Sequence, residues 1–440
     1  MNKNESFIIE GLAGEKSLEG SVTINGAKNS ALKAMAAAIL FDGPVILENV
    51  PNTDDIHTMS EILINLGAKV EWFEKKLKID ATDISKTDID PKLAKTMRAS
   101  VVLTGPLLAR FGRVSFPAPG GCVIGSRPID LFIEGYKKMG AIVTLSDDLY
   151  IIEAPKGLLV ADISFNRVSV GGTETLMMAA VLSKGRTVLT NCAMEPEIGN
   201  VAEWLNACGA NISGVGTSKI IIEGRDRKLL NNKISYTAIP DRIEAGSFLI
   251  LGALCAKELF IENCRPDHLD SVINILKESG VNIEILDGNG QNKTICVKNN
   301  SDTSFKQFKT FNIRTQEYPG FPTDLQAPMV IFLTQVMGES KVVETIFEGR
   351  FKYVDDLLMM GANITVLNPL EVLIKGPTQF VELSNKEELY AYDIRAGFAI
   401  VLAALIGKGK FKVNNVHLID RGYESLEKRL FAIGANIKRV

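Results

Sequence analysis

Histidine is scarce in this 440-residue chain, with three residues at positions 57, 268 and 417, far apart in sequence and near no cysteine or carboxylate cluster of ligand spacing. A metal site is therefore not indicated, and no metal is expected. The six cysteines stand at 122, 192, 208, 255, 264 and 296, and no two form a C-x-x-C pair. The first residues, Met-Asn-Lys-Asn-Glu-Ser, are polar and do not resemble a secretory signal. Both features point to a reducing, cytoplasmic compartment. Apolar runs such as 398–406 are too short to span a bilayer, so no membrane association is expected. An excess of positive charge is also missing: 49 Lys and Arg face 52 Asp and Glu, for a net charge of −3. The whole-protein field thus favours neither nucleic acid nor an acidic membrane, and any anion site must come from local clustering of cations.

What the chain does have is apolar residues, at 46%, and a moderate 23% of charged ones, enough for a sizeable core in a soluble protein. Its length suggests about two domains or one large repetitive assembly. The repetitive option has direct support. A phrase of an apolar or small residue, then Gly, Ala or Val, with a β-branched residue soon after, recurs six times. Its glycines are 67, 140, 209, 280, 361 and 434, spaced by 73, 69, 71, 81 and 73 residues. Self-similarity at a near-constant period means one supersecondary unit used repeatedly.

The units share an internal order. First comes an all-round apolar segment, seen at 31–40, 176–182, 248–256, 329–336 and 398–406, expected to be a buried helix. A short β-like run follows, such as 45–47, 187–189 or 259–261, then an amphipathic helix. In the last unit Tyr423, Leu426, Leu430 and Ile433 recur at helical spacing and predict one apolar face. The repeated glycine then ends that helix in a left-handed conformation, and a further strand begins. The unit is α/β with short connections.

Polar groups stand just before the buried segments: Lys28 with Asn29, Arg98, Arg167 with Ser169, Asp241 with Arg242, Asp324, and Arg395. Helix N-termini present unpaired N–H groups and a partial positive charge. Several such ends carrying Lys or Arg, aimed at one place, would make a phosphate or carboxylate site; singly, each could be a surface charge, and Asp324 a helix cap. A second signal is the stretch 119–128, where Cys122 sits among three glycines with a proline at each end and Arg127 five residues on. It reads as a mobile loop carrying a reactive thiol over an anionic ligand, because glycine permits backbone change and a nearby cation favours the thiolate; taken alone, it could equally be a glycine-rich turn with a bystander cysteine. A P-loop is excluded at 11–17, where Glu15 separates Gly14 from Lys16.

The segments 26–30, 119–131, 240–244, 321–326, 393–395 and 419–424 together resemble the UDP-N-acetylglucosamine enolpyruvyl transferase family, and the resemblance runs from about residue 7 to Val440. It implies a two-domain inside-out α/β barrel of six βαβαββ units. One domain would cover 28–235 and the other 1–27 with 236–440, with the active site in the cleft between them. The implied activity is transfer of an enolpyruvyl group from phosphoenolpyruvate to the 3′-hydroxyl of UDP-N-acetylglucosamine, the first committed step of peptidoglycan synthesis, without a cofactor. The oligomeric state is left open.

The resemblance also implies roles. Cys122 matches the proton donor to phosphoenolpyruvate, on whose sulfur the family can carry a covalent adduct, and Asp324 the general base. Lys28, Arg127 and Arg421 match phosphate-gripping cations, and Arg98, Arg350 and Arg395 the other cleft arginines. Arg127, Pro128, Ile129, Asp130 and Leu131 match contacts to the uridine nucleotide, as do Arg167, Val168, Ser169 and Val170. Asp324 and Ile346 match contacts to the sugar, and Asn29 a residue of the reaction centre. The chain departs from the commoner pattern at Phe132, Gly349 and Tyr353, which bears on affinity and loop behaviour, not on the reaction class. Rival readings are the shikimate 3-phosphate enolpyruvyl transferase and a non-catalytic nucleotide-sugar sensor; the Cys122 loop and the 321–326 motif disfavour the first, the presence of both Cys122 and Asp324 the second.

Overall fold

The computed structural model describes residues 5–118, 129–299, 308–383 and 388–440. Cys122, Arg127 and Pro128 lie outside the described residues. The chain divides into two compact units, one inserted into the other. The chain passes into the inserted unit between Asn25 and Gly26 and leaves it between Ile239 and Pro240. The remainder, carrying both ends of the chain, is the terminal unit.

Each unit contains three sheets, and a single strand pattern recurs. In the terminal unit, Ile313–Arg314 pairs parallel with Gly338–Val343, which pairs antiparallel with Glu371–Gly376, itself antiparallel to Ile364–Asn368. Leu18–Thr23, Ala256–Cys264, Lys293–Lys298 and Asn282–Leu286 repeat that order. The third sheet is completed from the start of the chain: Ser6–Glu10 lies between Lys410–Asn414 and Asn436–Arg439, antiparallel to both. In the inserted unit, two four-stranded sheets follow the same order. Its third has only Arg113–Pro117, Leu149–Glu153 and Ile142–Ser146, and the isolated parallel bridge of Asp88 to Ser115 stands where the parallel edge strand would be.

Strand residues alternate between buried and exposed, as in Lys410–Asn414, so each sheet turns one face inward and one to solvent. Apolar helices fill the interior. In the terminal unit these are Arg242–Cys255, Gln326–Thr334 and Ile394–Ile406, which pack on one another. In the inserted unit they are Lys28–Ala37, Thr104–Phe111 and Val170–Val181. All nine residues of Gln326–Thr334 are buried, so the helix is held by packing rather than by an amphipathic stripe. Each unit is therefore an inside-out α/β arrangement, with helices within and sheets without.

The interior helices begin earlier than the apolar runs suggested. Lys28, Arg242 and Arg395 belong to the first helical turn instead of preceding it. The polar first turn escapes a reading based on hydrophobic runs because the run starts only where the apolar residues do, although Lys28 and Arg395 are themselves buried. The last amphipathic helix is also shorter than expected: it spans Leu426–Ala432, with Ser425 left-handed before it and Tyr423 in the preceding turn, although all four apolar residues are buried. All six repeat glycines adopt positive φ, from +83° at Gly140 to +113° at Gly67, a region in which a Cβ is strained. The 11–17 segment is a loop between strands, with no helix of the P-loop kind.

Candidate active site

Within the inserted unit, the site residues gather at helix starts. Lys28 opens the helix Lys28–Ala37, and its Nζ meets Asp55 Oδ2 at 2.8 Å with both side chains nearly buried. Asn29, the next residue, is the one member of that helix not buried. Arg98 opens a 3-10 turn and is half-buried. Ser169 caps Val170–Val181, its Oγ accepting the Gly172 N–H at 3.1 Å. Asp130 opens Asp130–Lys138 and forms an ion pair with Arg167, so the two stretches assigned to the nucleotide meet side by side. Partial burial pulls the Asp130 pKa upward, but the hydrogen bonds from Arg167 and the Leu131 backbone outweigh it and hold the carboxyl below its ordinary value. Phe132 is buried and packs against Gly171 in the first turn of Val170–Val181.

Within the terminal unit, three candidates converge. Asp324 lies in the 3-10 turn Thr323–Leu325. Its two carboxylate oxygens accept from Arg350 Nη2 at 2.5 Å and Arg395 Nη2 at 3.3 Å. It does not cap the helix that follows, so the plain capping reading fails. Arg350 and Arg395 are only 6% and 5% exposed. Asp393 fixes Arg395 by capping Ile394–Ile406, its Oδ1 accepting the Arg395 and Ala396 N–H groups at 2.7 and 3.0 Å. The Arg395 guanidinium also lies 5.4 Å from the centre of the Tyr423 ring. Arg421 directly follows the short helix His417–Asp420, and Ile346 shares a loop with Arg350. Arg350 Nε and Arg395 Nη1 are buried donors that meet no acceptor at hydrogen-bond geometry among the described residues. Leaving such donors unmet costs free energy, which a carboxylate or phosphate oxygen would recover. Tyr353 is fully buried and donates to Gln326 Oε1 at 3.2 Å, placing it behind this cluster as support.

Two partners were not anticipated. Asp55, beside Lys28, reads in sequence as one of two acidic residues in a first helical turn, where the dipole alone accounts for it. Tyr423 reads as part of an apolar helical face; only the fold puts its ring beneath Arg395.

Among the described residues, no group of His, Cys, Asp and Glu could hold a metal ion, and no helix is long and apolar enough to cross a membrane. Six sheets around two sets of buried helices, with cations at the helix starts, define the class, and the comparisons agree. The solved enolpyruvyl transferase NikO from Streptomyces tendae superposes with a TM-score of 0.87 at 22% identity, over 100% of this chain and 99% of that one. EPSP synthase from Acinetobacter baumannii gives 0.73 at 17% identity, over 98% and 99%. The family model of EPSP synthase (3-phosphoshikimate 1-carboxyvinyltransferase) matches residues 12–430. Curated relatives narrow this further. UDP-N-acetylglucosamine 1-carboxyvinyltransferase of Nitratiruptor sp. is 41% identical over 98% of both chains, and that of Aliarcobacter butzleri 42% identical over 97% of this chain and 98% of its own. The chain belongs to the enolpyruvyl transferase family, within the UDP-N-acetylglucosamine 1-carboxyvinyltransferases.

Proposed function

We infer that this protein transfers the enolpyruvyl group of phosphoenolpyruvate to the 3′-hydroxyl of UDP-N-acetylglucosamine and releases phosphate, the committing step of peptidoglycan synthesis, in the cytoplasm. The observation that carries the site assignment is Asp324 held by two buried arginines that keep further unmet donors. Such a cluster suits a substrate with a carboxylate and a phosphate. Asp324 is the base for the sugar hydroxyl, and Cys122 the acid for C3 of phosphoenolpyruvate. The hydroxyl oxygen bonds to C2 as its proton passes to Asp324 and C3 takes a proton from the thiol. The tetrahedral ketal then loses phosphate from C2 and returns a proton from C3 to the Cys122 thiolate, restoring the double bond and the thiol. Lys28, Arg127 and Arg421 bind the phosphate, with Arg98, Arg350 and Arg395 around the other anionic groups, so charge is met by fixed cations throughout. Ile129 to Leu131 and Arg167 to Val170 bind the nucleotide, and Ile346 the sugar.

The deciding measurement is phosphate release. It should require phosphoenolpyruvate and UDP-N-acetylglucosamine together. Release with shikimate 3-phosphate in place of the nucleotide sugar would move the protein to the other branch, and binding of the nucleotide sugar without release would make it a sensor.

A further inference from the structure

Glu344 follows the strand Gly338–Val343 and is fully buried. Among the described residues it forms no ion pair, although a buried carboxylate is costly unless charge or several donors offset it. Donors do so here. Its Oε1 accepts from Thr315 Oγ1 at 2.9 Å and from the Ile346 and Phe347 N–H groups at 2.8 and 3.2 Å. Its Oε2 accepts from Thr323 Oγ1 at 2.9 Å. These donors come from three separate segments. Thr315 follows the edge strand Ile313–Arg314, Thr323 opens the turn that carries Asp324, and Ile346 with Phe347 belongs to the loop that leads to Arg350. Thr315 doubles the tie: its Oγ1 accepts the Thr345 N–H at 2.9 Å, and its carbonyl accepts from Thr345 Oγ1 at 2.5 Å. Asp324 and Arg350 meet each other in an ion pair and are also anchored, through their own backbone segments, to one carboxylate.

We propose that Glu344 is a positioning residue for enolpyruvyl transfer, bolting the Asp324 turn to the Ile346–Arg350 loop so that base, sugar contact and arginine hold one geometry. It touches no substrate. The proposal rests on the assignment of Asp324 as base. An acceptor-only group suits the post, since four donors converge on it. Misplacing a reacting group by even an ångström can cost about a hundredfold in rate.

The test uses the full chain, with kcat and KM for both substrates and the melting midpoint for each variant. Thr323→Val cuts only the bond to Oε2 and is half-exposed, so it should fold normally. It is expected to lower kcat about tenfold while KM for the nucleotide sugar and the melting midpoint barely move. Glu344→Leu, which keeps bulk but accepts nothing, should lose at least as much. Glu344→Gln, whose carbonyl still accepts from the loop and whose amide can donate to the Thr323 hydroxyl, should recover kcat to within about threefold of the parent. Adding Thr323→Val to Glu344→Leu should cost little more, because both cut one link. Full kcat in Thr323→Val and Glu344→Leu, beside an inactive Asp324→Asn enzyme, overturns the positioning role alone. Full kcat in Asp324→Asn overturns the base assignment, and this proposal with it.

Discussion

At the scale of single residues, the thiols differ most sharply. Cys192, Cys208, Cys255, Cys264 and Cys296 are all buried. Burial pushes the Cys192 thiol up to about 11 and those of Cys255 and Cys264 to about 12, and raises Cys296 as well. Thiolate is the reactive form, so these four sulfurs are chemically quiet near neutrality, and Cys208 is shielded by its burial. Cys122, in its glycine-rich stretch beside Arg127, is the one left to react. The epoxide phosphonate fosfomycin should therefore add once per chain, at Cys122; peptide mass spectrometry finding the adduct on another cysteine would refute this. Cys122→Asp should escape alkylation and still supply a proton. A second residue-scale prediction concerns Glu174, fully buried in the inserted unit with its Oε2 3.0 Å from Lys33 Nζ. Burial raises its pKa to about 7, the pull of Lys33 being outweighed with help from Glu197 and Glu195. The folded state thus holds this proton more tightly than the unfolded chain does. Stability from that proton is full below the ordinary carboxylate range and is lost as pH rises through about 7. Replacing Glu174 by Gln should flatten the fall of unfolding free energy between those limits, by at most about 1.4 kcal/mol per pH unit. Identical pH slopes for the two proteins in denaturant titrations would count against it.

At the scale of elements, the repeat was largely legible. Six glycines marked six helix ends because a left-handed residue without a Cβ is a local requirement, readable from one letter. The all-round apolar runs marked the buried helices for a similar reason. Their polar first turns were not legible as helix, since an apolar run begins only after them. Nor was the meeting of Asp324 with Arg395, 71 residues away, or the gathering of Thr315, Thr323 and Ile346 on Glu344. Such convergence is decided by how sheets and helices stack, and no spacing along the chain encodes it. Of the assigned loop residues, Cys122, Arg127 and Pro128 remain readings from sequence. Two glycines separate backbone strain from packing. At Gly434, φ is +102° and the nearest atom to an added Cβ is 3.9 Å away, so Gly434→Ala meets strain alone and should cost about 1–2 kcal/mol. At Gly105, φ is unremarkable but a Cβ would stand 2.4 Å from the Thr175 carbonyl oxygen of the neighbouring helix. Gly105→Ala must push two interior helices apart and should cost about 1–3 kcal/mol. Equilibrium unfolding in urea measures both; a neutral Gly105→Ala would mean that the helix contact yields easily.

At the scale of the whole molecule, the connectivity decides what can fold alone. The inserted unit forms all three of its sheets from strands between 45 and 237, and its core draws on residues 31–238 only. The core of the terminal unit, by contrast, includes Phe7, Ile9, Leu18, Val22 and Ile24 beside residues from 243 onward. Without the first 25 residues it would lose an inner strand from one sheet and the parallel edge from another. Residues 26–239 made alone should therefore melt cooperatively, whereas 240–440 alone should lack a cooperative transition. The second fragment can be repaired by chain order alone. Ser6 and Val440 are bonded to each other, N–H to carbonyl in both directions at 3.0 and 2.9 Å, on neighbouring antiparallel strands. A hairpin turn of about two to five residues can join such ends. A permuted chain running 240–440, turn, then 6–25 supplies both missing strands in place, and calorimetry should show a single sharp transition where 240–440 shows none. If the unpermuted fragment melts as sharply as the permuted one, the N-terminal strands are ornaments on a core that stands without them; if neither melts cooperatively while 26–239 does, the terminal unit needs its inserted partner in order to fold.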